Sequence, residues 1–488
     1  MESTVPETGA SGASGVEKAG LPWPPTAAES SKPARCIGRD VKLLWCANAA
    51  DSLGSQASGV VLPLLLLGLG HSPAVVGLVA GVSTAAGLVL GPVVAVPADR
   101  GARKRVMFWS ATVSALAMAS VAVALAVADG RPSLAHLLGA VLVERTATAC
   151  YEAAARGTVA LISEPGGLPR VVAGLEAGDR GALVVGPALG GMLYQVSRAL
   201  PFLADALSYA VTAVCVGSMR SDLRADPRAD LRSDLRADGR PADPPSDSRP
   251  APGAEQKLAR PYVRHSRAAL AALAAEAGAG FALVRTSSLL RLVLVWTTTV
   301  NGVLAALYYD VVFTLQESGH GGAPMGLVLA VSGAAGLVGS LAAPRLAVRL
   351  SASRTLVGVS WLMVPLAALL ATAAEPWSYG ALFGGFCLIM PLATVVLQAR
   401  AIHGTPPELQ ARAGSVLATA AGGAAALAPA LAGLLAAHAG NAAPALVCAA
   451  LLTLLAGRLT FGGARALATR VPVTGVPVTG ASAKGRTV

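Results

Sequence analysis

Residues 77–105 read GLVAGVSTAAGLVLGPVVAVPADRGARKR. No charge falls between His71 and Asp99, and a bilayer crossing needs about 20 such residues. The run breaks at Pro97 into Asp99-Arg100-Gly101-Ala102-Arg103-Lys104-Arg105. A short basic loop directly after an apolar span is retained on the cytoplasmic side.

The stretch occurs twice. Residues 326–338 read GLVLAVSGAAGLV against GLVAGVSTAAGLV at 77–89, and Gly319-His320 lines up with Gly70-His71. A second echo, GPALGG at 186–191 against APALAG at 428–433, falls in the same order. The chain therefore reads as two related halves, an arrangement common among membrane transport proteins.

Composition bounds the class. Hydrophobic residues make up 54% and charged residues 13%, with a mean hydropathy of +0.61, which excludes a soluble enzyme. The net charge of +11 raises the question of nucleic acid. Arg and Lys sit in tails and loops between apolar spans, with no aromatic-interleaved basic face, so no nucleic-acid partner is expected. Six cysteines are scattered without a CxxC pair, and six histidines show no ligand spacing. No metal site, disulfide framework or cofactor is expected.

Taken in order, residues 1–40 are rich in Ser, Gly, Pro and Ala and predict a disordered cytoplasmic tail with no signal peptide. Residues 41–218 predict a six-helix half, with spans near 43–67, 73–98, 106–128, 133–161, 171–195 and 199–218. One set of loops holds Arg100, Arg103, Lys104, Arg105 and Arg170; the other holds only Arg131 and Arg198. That asymmetry puts both ends of the half on the cytoplasmic side of the cell membrane. Residues 219–267, with the repeat SDLRAD at 221–226 and 233–238 followed by prolines, predict a flexible cytoplasmic linker. Residues 268–463 predict a second half, led by an interfacial helix over 268–284. Its spans fall near 289–315, 324–347, 354–373, 377–399, 413–437 and 441–461. Residues 464–488 predict a disordered cytoplasmic tail.

Two homologous six-span halves joined by a linker resemble the major facilitator superfamily, an all-α membrane fold of twelve transmembrane helices. Asp99, Arg100, Arg103 and Lys104 match the family's loop 2–3 signature, with Ala95 and Ala102 in place of its glycines. The resemblance implies a cytoplasmic latch between the halves. Gly186, Pro187, Gly190 and Gly191 resemble the fifth-helix antiporter signature, which implies efflux. The layout is also similar to bacterial drug, siderophore and macrolide exporters. Arg145 resembles the arginine of the helix 4 signature, and helices 1, 4, 7 and 10 are expected to line a central cavity.

Ionisable residues inside spans are expensive and mark function. Asn48, Asp51, Ser55 and Ser58 share one face of helix 1; Arg145, Thr148, Glu152 and Arg156 share one face of helix 4. Helix 5 adds Glu176, Asp179 and Arg180, and helix 7 adds Thr298, Asn301, Tyr308 and Asp310. Asp51, Arg145, Glu152, Asp179, Arg180, Asn301 and Asp310 are the candidates for proton coupling or cavity lining. The competing reading of Glu152, Glu176, Asp179 and Arg180 is a static salt bridge between helices 4 and 5. Asp205 reads as a packing residue of a peripheral helix. No Walker loop, G-x-S-x-G or H-E-x-x-H motif appears, so neither ATP nor catalysis is implied.

These readings converge on a secondary transporter that exports a small organic molecule, a drug or other secondary metabolite, by proton antiport. Its partners are that substrate, protons and the lipid bilayer. The alternatives are a proton-coupled uptake symporter of the same fold and a non-transporting sensor or scaffold.

Overall fold

The computed structural model describes residues 38–94, 103–127, 131–163, 167–221 and 281–463. Both predicted tails, the SDLRAD repeats, most of the predicted interfacial helix, Asp99 and Arg100 fall outside these ranges. The described residues form twelve long helices and no strand. The first six are α1 (Arg39–Gly68), α2 (Pro73–Val94), α3 (Arg103–Val127), α4 (Leu134–Ile162), α5 (Leu168–Val196) and α6 (Leu200–Gly217). The second six are α7 (Ser288–Glu317), α8 (Ala323–Arg349), α9 (Ala352–Leu370), α10 (Pro376–Gly404), α11 (Pro407–Ala439) and α12 (Ala442–Arg458).

Local sequence sets the helix ends. Ser133 and Ser287 cap α4 and α7 by accepting from the amides of His136 and Leu290, each at 3.3 Å. Proline stands in the first turn of α5, α6, α8, α10 and α11, where its missing N–H costs no helical bond. The repeated Gly-His pairs end α1 and α7 in the same way. Gly70 and Gly319 take φ of 88° and 74°. Their amides return to Leu67 and Gln316, while His71 and His320 donate to Leu66 and Leu315. This is a Schellman ending, and glycine provides the left-handed residue it needs.

Ten helices are long and apolar enough to cross a membrane. The other two, α4 and α5, have 29 residues each and carry the charged groups Glu144, Arg145, Glu152 and Arg156, and Arg170, Glu176, Asp179 and Arg180. Large apolar side chains such as Val89, Leu116, Val214, Leu341 and Leu454 stand exposed, as a lipid-facing surface requires.

Each half is built alike. α1 packs on α5 and α6, and α3 on α4 and α6; in the second half α7 packs on α11 and α12, and α9 on α10 and α12. The halves meet along two seams, α2 against α11 and α5 against α8. These are the same pair of helices exchanged by the internal repeat. Lipid offers no hydrophobic drive between helices, so such seams depend on close van der Waals contact. Glycine supplies it: Gly81 faces the carbonyl of Ala426, and Gly333 faces that of Leu183. The closest inter-half approaches cluster near the α1–α2 and α7–α8 turns, where Gly433 meets Pro73 and Gly191 meets Gly322.

Candidate functional site: a polar cavity in the first half

Away from those turns, α1, α4 and α5 enclose a cavity of about 830 Å³. It lies toward the end holding the start of α1 and the α4–α5 turn. The helical spacing of α4 places Arg145, Thr148, Glu152 and Arg156 along its wall. From α1 come Asn48, Asp51, Ser52 and Ser55, and from α5 Glu176 and Asp179. Starting α1 at Arg39 sets Asp51 about 18 Å along the helix axis.

The candidates have different surroundings. Asp51 is 9% exposed and makes no hydrogen bond among the described residues. The charged groups facing it are Asp205, Glu144, Glu152 and Asp179, all acids. Asp179 accepts from Asn48 Nδ2 at 2.7 Å and from Ser52 Oγ at 2.5 Å, tying α5 to α1. Glu152 pairs with Arg156 at 3.4 Å and Glu176 with Arg180 at 3.6 Å. Both pairs lie within one helix, so the salt bridge between helices 4 and 5 of the competing reading does not form among the described residues. Four-residue spacing brings each acid to its own arginine first.

Arg145 is engaged by a residue the sequence reading did not name. Its Nε lies 3.4 Å from Oε2 of Glu144, which is 5% exposed. Tyr209 of α6 donates to Glu144 Oε1 at 2.7 Å, and Thr148 donates to the same oxygen at 3.1 Å. The Tyr209 hydroxyl also lies 2.9 Å from Ser55 Oγ. An intramembrane acid is a functional signal wherever it stands. The partners that mark Glu144 come from α6 and α4, which its own position in the sequence does not reveal. Arg145 also shares a small cavity with Tyr309 of α7, across the boundary between halves.

A second cavity, of about 490 Å³, lies between α7, α10 and α11. Trp296, Thr297, Asn301, Met390 and Gln398 line it, with no ionisable side chain among the described lining residues. Asn301 donates to its own helix at Thr297 O, 2.8 Å away. Asp310 is 2% exposed and lines neither cavity.

Of the basic loop, Arg103 lies against Gly157 of α4, and Lys104 Nζ donates to Met219 O at 2.6 Å. Both reach partners in their own half. The four motif residues of α5 are buried and divide between two neighbours. Gly186 and Gly190 face Gln56 and Ala57 of α1; Pro187 and Gly191 face Gly326 of α8.

Twelve spanning helices in two pseudo-symmetric halves, with a charged cavity inside, define a multi-pass membrane transporter. Residues 44–429 match the family model described as Major Facilitator Superfamily, and the chain belongs to that superfamily. No curated protein sequence matches. Among solved structures it is similar to a bacterial homologue of the iron transporter ferroportin in an inward-facing state. That match has 14% identity and a TM-score of 0.62, covering 89% of this chain and 100% of the other. It is also similar to the nucleoside transporter NupG, at 12% identity and a TM-score of 0.61, covering 86% and 99%. A transporter of the POT family, crystallised with a thioalcohol-conjugated peptide, gives 11% identity and 0.61, covering 88% and 96%. At these identities the likeness is one of fold.

Proposed function

We propose that the protein exports a small organic molecule in exchange for protons, by alternating access, from the cell membrane with both termini in the cytoplasm. The observation that carries this reading is Asp51: an acid in the wall of a membrane-embedded cavity with no hydrogen-bonding partner. A carboxylate there is costly to hold charged in a dry cavity and cheap to hold charged in a wet one. Opening and closing the cavity therefore alternates proton binding with proton release. The loop charges turn the cavity mouth to the cytoplasm, which is the loading side for an exporter. The similarity to an inward-facing relative supports that assignment. The GPALGG segment supports efflux over uptake through its resemblance to the antiporter signature.

The mechanism uses the two cavities together. The acidic wall of α1, α4 and α5 carries the coupling ion, while the apolar and amide wall of α7 and α10 receives the body of the substrate. Proton binding at Asp51 and substrate binding are then linked through the movement of the two halves. Alternation moves the seams α2–α11 and α5–α8 as hinged units.

Everted membrane vesicles energised with a proton gradient test this. Screened against a panel of fluorescent amphipathic dyes, they should accumulate at least one dye and lose part of the gradient when it is added. Asp51→Asn should abolish accumulation and leave dye binding measurable. Accumulation in right-side-out vesicles alone would reverse the direction, and wild-type accumulation by Asp51→Asn would remove Asp51 from coupling.

A further inference from the structure

Behind the cavity wall lies a group of polar side chains that the coupling role of Asp51 does not use. Asp205 of α6 is 1% exposed. Its Oδ1 accepts from Ser208 Oγ at 3.4 Å, the Ser58 hydroxyl stands beside the carboxyl, and Oδ2 is buried without a hydrogen bond of ordinary geometry. Gly54 of α1 makes the room: a Cβ there would collide with Asp205 Oδ1 and the Ser208 hydroxyl. Tyr209, the next residue but three along α6, is 2% exposed and hydrogen-bonds Glu144.

The charges do not balance. Asp51, Glu144 and Asp205 are three buried acids; Arg145 faces them, while Arg156, which lines the same cavity, is paired with Glu152. Asp179 adds another acid beyond Asp51. The remaining neighbouring helices do not help. Val106–Val127 of α3 and Pro73–Leu90 of α2 contain no titratable side chain, and α7 contributes the neutral Tyr309 beside Arg145. Buried ions without counter-charge cost several kcal/mol each. In a bilayer interior the available counter-charge is the proton.

There is also a way in. Ser55 and Thr148 line the cavity. The Tyr209 hydroxyl stands 2.9 Å from Ser55 Oγ, 3.3 Å from Thr148 Oγ1 and 2.7 Å from Glu144 Oε1. A hydroxyl that donates to an acid on one side and accepts on the other can pass a proton by exchanging its own.

We propose that Glu144 and Asp205 form a second proton-binding site behind the cavity wall, with Glu144 reached from the cavity through the hydroxyl of Tyr209. The inference deepens the proton-coupled reading and rests on it for its use. A proton arriving on Glu144 Oε1 comes from the Tyr209 O–H, which takes the proton of Ser55 or Thr148 in turn, and that hydroxyl is refilled by a hydronium of the cavity water, so one O–H forms for each that breaks. The protonated Glu144 loses its ion pair and frees Arg145 beside Tyr309. The proton is thereby felt at the boundary between the halves.

The test counts protons taken up by the purified full-length chain in detergent micelles, with no substrate, after a jump from alkaline to acidic solution. Glu144→Gln and Asp205→Asn should each take up one proton fewer than wild type. Tyr209→Phe keeps the buried ring and should reach the wild-type count about a hundredfold more slowly. Infrared difference spectra of Asp51→Asn, which leaves the site intact, should show carboxylic-acid bands that vanish on return to alkali and that are missing when Glu144→Gln and Asp205→Asn are added. A wild-type proton count in the combined Glu144→Gln, Asp205→Asn protein, or absent bands in Asp51→Asn, overturns the site. A wild-type uptake rate in Tyr209→Phe overturns the relay. None of these readouts needs transport, so loss of proton-driven export leaves them standing, and their failure leaves the role of Asp51 to its own test.

Discussion

Gly326 of α8 lies against the backbone carbonyl of Pro187 in α5, so close that a Cβ would collide with that oxygen. Gly77 of α2 stands in the same relation to the carbonyl of Pro429 in α11. Each contact joins the first repeated stretch of one half to the second repeated stretch of the other. The two sequence echoes are thus the two faces of one interface, used twice. The proline removes an N–H from its own helix, and the glycine lets the partner backbone approach.

Adding a methyl group at either glycine should push the halves apart where they are locked together. Gly326→Ala and Gly77→Ala should each destabilise the present arrangement by about 1–3 kcal/mol, as overpacking does. The obstruction is backbone on both sides, so no rotamer change relieves it. Gly139→Ala is the control, because a Cβ there meets nothing within 4 Å. A cysteine placed at His71 or His320 should become more reactive to a soluble thiol reagent in the first two variants and not in the third. Equal reactivity in all three would show that the seam is not what closes this end.

The ion pairs should differ sharply in weight. Arg180→Ala removes a pair whose side chains are 50% and 62% exposed, and its cost should stay within about 0.5 kcal/mol. Arg145→Met leaves Glu144, 5% exposed, without its guanidinium. The arginine itself is 41% exposed to the cavity, so the loss should be about 2 kcal/mol rather than the full cost of a buried pair. Adding Glu144→Gln to Arg145→Met should recover most of it, since the stranded charge is gone. Thermal unfolding in detergent reads all four proteins, and a double variant no better than Arg145→Met would sever the link.

The helices were legible because span length and loop charge are properties of local sequence. The Gly70 and Gly319 turns, the proline starts and the two-fold repeat are local in the same sense. Placement of Asp51 and Glu152 in one cavity followed from helical spacing plus the resemblance; the α5 wall with Asp179 did not, since the resemblance names helices 1, 4, 7 and 10. The partners of those residues were not legible, because they come from other helices. Glu144 was not singled out, because its partner Tyr209 comes from α6. Asp205 looked like packing until Gly54, 151 positions earlier, proved to be the gap that holds it. Asp310 has the intramembrane signature of a cavity residue but faces the interior of its own half, which spacing alone does not distinguish.

Gly190 offers a test confined to one half. It sits against the carbonyl of Ala57, while Gly186 sits against the Gln56 side chain. Gly190→Ala meets backbone and should cost about 1–3 kcal/mol. Gly186→Ala meets the Gln56 Cβ, which is fixed to its backbone, so no rotamer change relieves it and the cost should be similar. Because both residues face α1 rather than α8, neither should change cysteine reactivity at His71. A change there would mean that the α1–α5 and α5–α8 contacts move as one.

The start of α1 is pinned to the end of α6, and this anchoring should be separable from transport. Asp40 accepts the amide of Arg220 at 3.1 Å and that of Ser221 at 2.7 Å, and it also accepts the Ser221 hydroxyl. Lys104, from the first turn of α3, donates to the carbonyl of Met219, which is 2% exposed. Three helix ends thus meet where the chain leaves the first half. Asp40 also lies in the first turn of α1, where a negative charge favours the helix dipole. Asp40→Ala strands two amides and loses the dipole term, and should cost about 1–2 kcal/mol. Asp40→Asn keeps an acceptor and should cost about half as much, which distinguishes hydrogen bonding from charge. Lys104→Met leaves one buried carbonyl unpaired and should cost about 1 kcal/mol. Thermal unfolding of the first half, followed at Trp45 or Trp109, gives the order. Dye accumulation at a temperature where every variant is folded should match wild type, since none of these groups reaches the cavity. Reduced accumulation under those conditions would make this junction part of the moving machinery rather than its mooring.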